Sequence, residues 1–489
     1  MKILLINPPV FNDIGSCKSQ TPPLGLLYLA AFLEKNGYPD IKVIDADLAR
    51  LSWKKLGDLF IEENPDIVGI TAPSFVLPAL IKTAEIAREK LPNCQIIAGG
   101  FGPTKEPEKV LRFAHGIIDF IIVGEGEITL LELVKQIEGQ TKNFNDIDGL
   151  AFLNQDGNPV FTQPRDYIKD LDSLPWPAFH LLYPDFSKYP GTPFYHKEMK
   201  RPIATMFASR GCPYRCTFCS LGSNLFRHRS PKDIVAEIEF YKNKYGVGSV
   251  QIYDDAFIGM NSKQNEWVKE ICNEIIKKDL HKNLTFLVQG RCNQFVELET
   301  LKKMREAGFV WIWWGVESGS QKVLDIIKKD IELKNIYRAF DLAKKAGFKS
   351  LMFIMVGFPG ETPADIKLTA RLIKNIKPDH LGLHVLTPMP GSEIRKYLEE
   401  HNLLDNKLEN LSDYYKLNTI RGGNHHTKEM SFKEIENYYK YLIFRFEHGR
   451  WHFIKFILKS LVTVDGWKKI FKRIKIITEF FLSWLKTKL

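Results

Sequence analysis

The pattern of apolar and polar positions divides the chain into two series of strand-like and helix-like segments. In the first series, over residues 1–145, near-continuous apolar runs alternate with helical patterns such as LGLLYLAAFLEKNG and ALIKTAEIAREKLP. The five runs are KILLINPP, IKVIDAD, IVGITAPS, QIIAGGFGPT and DFIIVGEGE. Buried runs separated by helices are typical of a parallel sheet that is covered on both faces. We therefore predict an α/β, flavodoxin-like doubly wound domain, which binds its ligand at the carboxyl ends of its strands.

Small and turn-forming residues follow the apolar runs at that edge. They are Asn7, Pro8, Ser74, Gly99, Gly100, Gly124, Glu125 and Gly126. Glycine allows a ligand to approach the backbone closely. An ordinary strand-to-helix turn would explain any one of these residues, but their shared position at one edge predicts a binding site.

Residues 146–200 differ from both series, because proline and aromatic residues dominate segments such as DSLPWPAFHLLYP and YPGTPFYH. This composition predicts an extended connector that packs against its neighbours.

The second series, over residues 201–400, alternates six predicted strands with helices. The strands are IATMFASRGC, SVQIYDD, LTFLVQGR, VWIWWGVES, SLMFIMVGFPG and HLGLHVLTP. Six strand–helix units are too few for the eight of a closed barrel, so we predict an open, partial (β/α)6 barrel. A helical, basic C-terminal region is expected over residues 401–489.

Cysteine usage indicates a reducing compartment. Seven cysteines in 489 residues do not make a disulfide framework, and Cys17, Cys94, Cys272 and Cys292 stand singly. The N-terminal MKILLINPPV lacks the long apolar core of a signal peptide. No window holds the ~18 consecutive apolar residues that span a bilayer. We expect a cytoplasmic protein.

The other three cysteines, Cys212, Cys216 and Cys219, form a C-x3-C-x2-C motif directly after the first predicted barrel strand. Thiolates select zinc or iron–sulfur clusters. Structural zinc usually takes four ligands, and His228 is a candidate for the fourth. A disulfide would leave a third thiol over. Three thiolates on a cluster of four irons leave one iron without a protein ligand, and an open iron can bind and activate a small molecule.

The segment CPYRCTFC, with Phe218 before its last cysteine, resembles the signature of the radical S-adenosylmethionine superfamily. The resemblance implies a four-iron four-sulfur cluster whose open iron chelates S-adenosylmethionine. It also implies that an electron, from a donor such as flavodoxin or ferredoxin, cleaves the sulfonium to a 5′-deoxyadenosyl radical. The six-unit barrel predicted above is similar to that superfamily's core.

The ends of the later barrel strands carry residue types that suit S-adenosylmethionine, which needs a carboxylate, a cation and exposed backbone. These residues are Asp254, Asp255, Arg291, Gly315, Glu317, Gly357 and Gly360. By resemblance, Glu317 would bind the ribose, Arg291 the carboxylate and the Gly357 strand the adenine. Asp254 and Asp255 could face either the cofactor or the substrate.

The order of the two predicted domains resembles the cobalamin-dependent branch of that superfamily, and segments such as GITAPSF and FIIVGEGE resemble its cobalamin-binding half. Many cobalamin domains carry Asp-x-His-x-x-Gly after the first strand, whereas NPPVFNDIG here has no histidine. We expect cobalamin to bind without a histidine–cobalt bond, unless the domain has lost cobalamin.

The resemblance implies C-methylation of an unactivated carbon of a lipid-like or secondary-metabolite substrate. Oxidative ring formation, as in the anaerobic magnesium-protoporphyrin ester cyclases, is an alternative without methyl transfer. A methylthiotransferase acting on transfer RNA would need three N-terminal cysteines, and only Cys17 and Cys94 are present. A zinc or cobalamin sensor without catalysis is a further alternative.

The C-terminal tail carries most of the formal net charge of +10, because eleven lysines and arginines of residues 441–489 stand against three acids. GWKKIFKRIKIITEFFLSWLK has apolar residues at helical spacing with its basic residues on the other side. Such a helix is typical of peripheral binding to anionic membranes, which would favour a lipid substrate. Docking on the barrel is equally compatible. A nucleic-acid partner is not expected, because no other basic cluster is present.

Overall fold

The computed structural model describes residues 1–10, 19–139, 143–191, 198–221, 225–418 and 424–447. Cys17 and the amphipathic segment of the tail lie outside the described residues.

The N-terminal sheet contains the five predicted parallel strands, in the spatial order β5-β4-β3-β1-β2. The strands are β1 (Ile3–Asn7), β2 (Ile41–Asp45), β3 (Ile67–Thr71), β4 (Gln95–Gly99) and β5 (Phe120–Ile122). The helices are α1 (Leu24–Lys35), α2 (Trp53–Glu63), α3 (Leu77–Lys90), α4 (Phe101–Lys105), α5 (Pro107–Ala114) and α6 (Glu127–Glu138). Successive residues of β1 pack on opposite faces, Leu5 in the core with α1 and α6 and Leu4 in the core with α3. The flavodoxin-like prediction is confirmed.

The connector extends this sheet at both edges. Its strands are β6 (Leu150–Leu153), β7 (Pro159–Phe161) and β8 (Leu182–Tyr183). The first two form an antiparallel hairpin on β5, and β8 pairs with β2. The predicted extended and packed connector therefore also contributes strands to the sheet. Phe179 illustrates the packing, because its ring lies 5.2 Å from that of Tyr241 in the barrel.

The second sheet contains the six predicted parallel strands in the order β16-β15-β14-β13-β12-β9. They are β9 (Ile203–Met206), β12 (Ser249–Ile252), β13 (Thr285–Arg291), β14 (Phe309–Glu317), β15 (Lys349–Val356) and β16 (His380–Val385). A short antiparallel pair, β10 (Ser209–Arg210) and β11 (Arg227–His228), follows β9. The helices are α7 (Pro231–Tyr245), α8 (Ser262–Lys277), α9 (Leu298–Glu306), α10 (Gln321–Ile326), α11 (Leu333–Lys345) and α12 (Pro363–Ile376). The open, partial barrel is confirmed.

Alternate residues of the barrel strands form two cores. One set packs against the surrounding helices, and Val250 and Ile252 of β12 belong to it. The other set forms a separate apolar cluster that includes Leu287 and Trp313. At the amino-terminal end of the barrel, the indole Nε1 of Trp311 donates to Glu198 at 3.1 Å. The carboxyl ends of the strands, which carry the three cysteines, form the open mouth.

The C-terminal region returns to the barrel through two further helices, α13 (Glu393–Glu400) and α14 (Phe432–Glu447). Helix α14 packs against β15, β16 and α12, and its residues Ile435 and Leu442 are buried. No helix in the described part of the chain is long and apolar enough to cross a bilayer.

Candidate functional site

The loop that carries the three cysteines, residues 209–220, is held at its start by Asp254. The Asp254 carboxylate accepts hydrogen bonds from the Ala208 N–H at 2.8 Å and from the Ser209 hydroxyl at 2.6 Å. Asp254 is 1% exposed, and this burial raises its pKa to about 7. Both carboxylate oxygens of Asp254 therefore join the ends of β9 and β12. Asp254 was predicted to bind a cofactor, but its carboxylate is not exposed to a ligand.

The same loop is fixed from the far side of the barrel. The Thr217 N–H donates to the Ile327 carbonyl at 3.0 Å, and the Thr217 carbonyl accepts from the Ile394 N–H at 2.9 Å. Inside the loop, the Cys219 N–H donates to the Cys216 carbonyl at 3.0 Å. Contacts from three separate barrel segments thus determine where the cysteines lie.

Cys212, Cys216 and Cys219 are half-buried thiols outside any disulfide. Burial raises the pKa of the Cys212 and Cys219 thiols. Within the described ranges, no three His, Cys, Asp or Glu side chains converge closely enough to hold a single ion. The ring of His228, which was a candidate fourth zinc ligand, packs 5.2 Å from that of Trp267. Three soft donors spread along one loop fit a multi-iron cluster better than one zinc ion.

Arg291 lies beside the cysteines with part of its guanidinium uncommitted. Its guanidinium carbon is 3.5 Å from the ring centroid of Tyr214, and its Nη1 is 3.8 Å from the Cys216 sulfur. Its Nε and Nη2 are buried without a hydrogen-bond partner in the chain. Buried cationic donors without a partner are costly unless a ligand pairs with them. Arg291 therefore fits a carboxylate ligand such as that of S-adenosylmethionine.

Glu317 ends β14 with a backbone φ of +70°, a region that residues other than glycine rarely occupy. Its carboxylate pairs with the Lys329 ammonium at 2.7 Å, and both side chains are 9% exposed. The Lys329 nitrogen also lies 5.6 Å from the ring centroid of Phe218. A Cβ on Gly315 would stand 3.1 Å from both charged groups, so glycine leaves room for this pair.

The turn after β15, which contains Gly357 and Gly360, is fixed by two buried side chains. The Glu361 carboxylate accepts from the Gly357 N–H at 2.6 Å, and burial raises the pKa of Glu361 to about 8. From the C-terminal region, Nε2 of His425 lies 2.7 Å from the Gly357 carbonyl oxygen. Phe358 brings its ring to 5.9 Å from that of Phe218. The turn and the cysteine loop are therefore in contact.

A cavity of about 390 Å³ runs from the N-terminal sheet to the mouth of the barrel. Its inner part lies between the sheet and the helices α1 and α6, where Leu5, Gly69 and Leu130 are among the lining residues. A Cβ on Gly69 would come within 2.6 Å of Leu5, so a larger residue here would disturb this wall. At its outer end the cavity reaches Tyr253 and Asp255.

Six of the predicted site residues line this cavity: Gly99, Gly100, Gly124, Glu125, Gly126 and Asp255. Asn7, Pro8 and Ser74 do not. The Asn7 amide instead donates to Asp45 at 3.0 Å, and Asp45 also accepts from the Tyr189 hydroxyl of the connector at 2.7 Å. These side chains fasten the connector to the sheet. The described residues that line the cavity include no histidine.

Four charged side chains, each less than a fifth exposed, join the N-terminal sheet to the cysteine loop and to β11 beside it; we call them the arginine–glutamate clamp. Glu125 accepts two hydrogen bonds from Arg227, at 2.8 and 2.9 Å, and Glu127 pairs with Arg210 at 2.6 Å. Burial alone would raise the pKa of Glu125, but the hydrogen bond from Arg227 and the charge of Arg210 lower it. Arg210 also lies 5.1 Å from the ring centroid of Tyr28. Neither arginine was predicted from the sequence.

Residues 206–373 match the family model of the radical SAM superfamily, and residues 13–134 match the B12 binding domain. An uncharacterized methyltransferase of Pyrococcus horikoshii is 30% identical over 90% of this chain and 92% of its own. The anaerobic magnesium-protoporphyrin IX monomethyl ester cyclase of Rubrivivax gelatinosus is 30% identical over 81% of this chain and 69% of its own. The fold is similar to the radical S-adenosylmethionine methyltransferase TsrM of Kitasatospora setae, with a TM-score of 0.71, 17% identity and coverage of 92% of each chain.

We predict that Asp254→Asn becomes progressively more stable than the wild type as the pH rises. Because the folded pKa of Asp254 is about 7 and its ordinary value is 3.8, the folded state holds this proton more tightly, and wild-type stability falls between those pH values. Asparagine keeps an acceptor for Ala208 and has no proton to lose. Melting temperatures at pH 5, 6, 7 and 8 should show a gap that widens by on the order of a few degrees.

The matched control is Asp185→Asn, because Asp185 caps the Ser187 N–H near the surface and its pKa is lowered by hydrogen bonds to Ser187. The difference in melting temperature between Asp185→Asn and the wild type should stay constant over the same pH range. A constant difference for Asp254→Asn would contradict the prediction.

We predict that Glu125→Gln lowers the free energy of unfolding by about 2 kcal/mol, because it leaves the Arg227 guanidinium partly buried without its counter-charge. Glu108→Gln is the control, since Glu108 pairs with Arg112 on the exposed side of α5 and surface pairs contribute little. Urea unfolding measures both variants. Equal effects of the two substitutions would show that the clamp does not stabilise the fold.

Proposed function

Because the chain belongs to the cobalamin-binding family of radical S-adenosylmethionine enzymes, we propose that it transfers a methyl group to an unactivated carbon of a small, lipid-like or secondary-metabolite substrate. Membership of this family confirms the predicted cofactors, which are a four-iron four-sulfur cluster, S-adenosylmethionine and cobalamin. From the same membership we expect this chain to act on a small-molecule substrate and to need a source of electrons. Flavodoxin or ferredoxin as that source is our proposal.

One juxtaposition carries the proposed function. The cysteine loop and the uncommitted N–H groups of Arg291 lie at the mouth of the barrel, and the cavity from the N-terminal sheet opens at the same mouth. Two cofactor sites that face one space can act on one substrate. The protein supplies position and exclusion of water, whereas the cofactors supply the chemistry.

We assign the cluster to Cys212, Cys216 and Cys219, which would leave one iron open for S-adenosylmethionine. When bound, this cluster would supply the electron for reductive cleavage. Arg291 would pair with the cofactor's carboxylate. Glu317, which pairs with Lys329, would bind the ribose, and the turn at Gly357 and Gly360 would lie against the adenine. Asp255, on the cavity wall, would face the substrate.

We assign cobalamin to the sheet edge, where part of this large cofactor would enter the cavity and lie on the glycines, held by shape and backbone contacts without a histidine–cobalt bond. When bound, cobalamin would carry the methyl group. Gly69 keeps the inner part of the cavity open, and Gly99 and Gly126 allow a ligand to lie against the backbone. The assignment divides the chain into a cobalamin-binding domain (1–145), a connector (146–200), the barrel (201–400) and a C-terminal region (401–489).

Two alternatives differ in how well the described residues fit them. Oxidative ring formation needs the same cluster and the same mouth, so it stays a second candidate, and one relative carries that name. Methylthiotransfer to RNA needs three further thiols in the N-terminal half. There Cys94 is 4% exposed and burial raises its pKa to about 12, which disfavours it as a ligand.

The basic amphipathic tail supports peripheral contact with an anionic membrane at its inner face, and hence a lipid substrate. The last described helix, α14, ends at Glu447 and packs on the barrel, and the basic amphipathic segment follows later in the sequence, from Gly466. Lysines and arginines near an anionic surface add attraction that salt screens.

We predict that Cys216→Ala abolishes both the cluster and the cleavage of S-adenosylmethionine. After anaerobic reconstitution, the wild type should bind about four irons per chain and release 5′-deoxyadenosine. The control is Cys272→Ala, since Cys272 is fully buried among the helices of the barrel. It should keep the iron and the activity. Cleavage at the wild-type rate by Cys216→Ala, or zinc in place of iron, would refute the proposal.

An isotopic label on the methyl group of S-adenosylmethionine distinguishes methylation from oxidative ring formation. The same assay is run with candidate lipid extracts. Label in the product together with 5′-deoxyadenosine supports methylation. 5′-Deoxyadenosine without transferred label supports ring formation instead.

We predict that removal of residues 448–489 abolishes co-sedimentation with phosphatidylglycerol vesicles, because the basic apolar segment is lost. The truncation spares α14, so the barrel should keep its melting temperature. The wild type should bind phosphatidylglycerol vesicles more strongly than phosphatidylcholine vesicles, and salt should weaken binding. Unchanged sedimentation of the truncated protein would contradict the membrane role.

A further inference from the structure

Two polar side chains lie deep in the barrel without hydrogen-bond partners in the chain. Thr205 of β9 and Gln251 of β12 stand opposite each other in the register of these adjacent strands. Their exposed fractions are 1% and 0%. The Thr205 hydroxyl and both the amide nitrogen and the amide oxygen of Gln251 are unpartnered. Three hydrogen-bonding atoms are therefore grouped at one point of the sheet.

Strand alternation places this pair on the inner face of the barrel. The residues on either side of Gln251, Val250 and Ile252, pack in the core with the helices, so Gln251 faces the other way. The next residues in the same alternation are Phe207, directly after β9, and Tyr253, directly after β12, and both line the cavity at the mouth. The pair thus lies one layer below the space that the two cofactor sites share.

Unpartnered buried polar groups are rare in folded proteins, and each calls for an explanation. Gln264 shows how this chain satisfies a glutamine that is merely structural. It is 4% exposed, its amide oxygen accepts from the Met260 N–H at 2.9 Å, and its amide nitrogen donates to the Ala256 carbonyl at 2.8 Å. Gln251 has no comparable use within the fold.

We propose that Thr205 and Gln251 bind a neutral polar group of the substrate, namely a hydroxyl, a carbonyl or a carboxamide. This assignment rests on the proposed function. The amide of Gln251 offers an NH₂ group as donor and a carbonyl oxygen as acceptor, and the Thr205 hydroxyl can act as either. Both side chains are uncharged, and an anion such as a carboxylate or phosphate would need a buried counter-charge.

The position also orients the substrate. The cysteines and Arg291 follow the carboxyl ends of the strands, whereas Thr205 and Gln251 lie within β9 and β12. A substrate whose polar group reaches this pair places its remaining carbon skeleton toward the cysteine loop and the cavity. The pair therefore determines which carbon of the substrate faces the reactive centres, which makes these two residues determinants of specificity.

The first test compares two buried glutamines. Gln251→Met should leave the melting temperature unchanged or raise it, because methionine removes polar atoms that have no partner in the chain. Gln264→Met should lower it by several degrees, because it leaves the Met260 N–H and the Ala256 carbonyl unpaired. Thr205→Val provides a second, independent variant. Destabilisation by Gln251→Met as large as that by Gln264→Met would overturn the proposal.

The second test uses acetamide and acetate as matched neutral and anionic probes of the full-length protein. In saturation-transfer NMR, the acetamide methyl signal should respond to the wild type, and the response should be lost in Gln251→Met. The acetate methyl signal should respond less to the wild type than the acetamide signal does. A stronger response from acetate would overturn the proposal, and so would no response from either probe, which would indicate water only.

The outcomes separate this inference from the proposed function. If the wild type cleaves S-adenosylmethionine but the glutamine comparison fails, the proposed function stands and the assignment of Thr205 and Gln251 is wrong. If the wild type never releases 5′-deoxyadenosine, the proposed function is refuted, whatever the two probes show.

Discussion

The arginine–glutamate clamp is the interaction on which the arrangement of the two cofactor sites depends. Arg227 is 7% exposed and the Arg210 side chain is 17% exposed, so each guanidinium has lost most of its water and needs its carboxylate. Glu125 and Glu127 directly follow the strand end that lines the cavity, and Arg210 directly precedes the cysteine motif. Loss of one partner within the assembled fold would leave a poorly hydrated charge unpaired, which is costly. These ion pairs therefore help to hold the cavity beside the cysteine loop, together with the apolar core that the two domains share.

Around the barrel mouth, side chains that hold the backbone are distinct from those left for ligands. Asp254 and Glu361 use their carboxylates on backbone N–H groups of the surrounding loops. Arg291, by contrast, keeps two N–H groups without partners, although it lies in the same dense surroundings. Rigid support with uncommitted donors is what a preorganised binding site needs, because little ordering remains to be done when the ligand arrives.

Local patterns were sufficient to predict both sheets, because near-continuous apolar runs bounded by turn residues have few other structural solutions. Side-chain orientation was harder to predict. Asp254 and Asp255 are neighbours, yet one is buried in hydrogen bonds and the other lines the cavity. Strand alternation could have separated them. Contacts between residues distant in sequence, such as that of Arg227 with Glu125, leave no local signal in the sequence.

The hairpin of the connector, LAFLNQDGNPVF, does have a local signal, because its Asp-Gly turn lies between two apolar runs.

The open barrel has a consequence for the behaviour of the molecule in concentrated solution. A sheet that stops at β16 ends in backbone donors and acceptors that could pair with a strand of another copy. Helix α14 packs against this outermost strand and against β15. We therefore expect the C-terminal helix to limit pairing of this edge with a second copy, whether or not any cofactor is present.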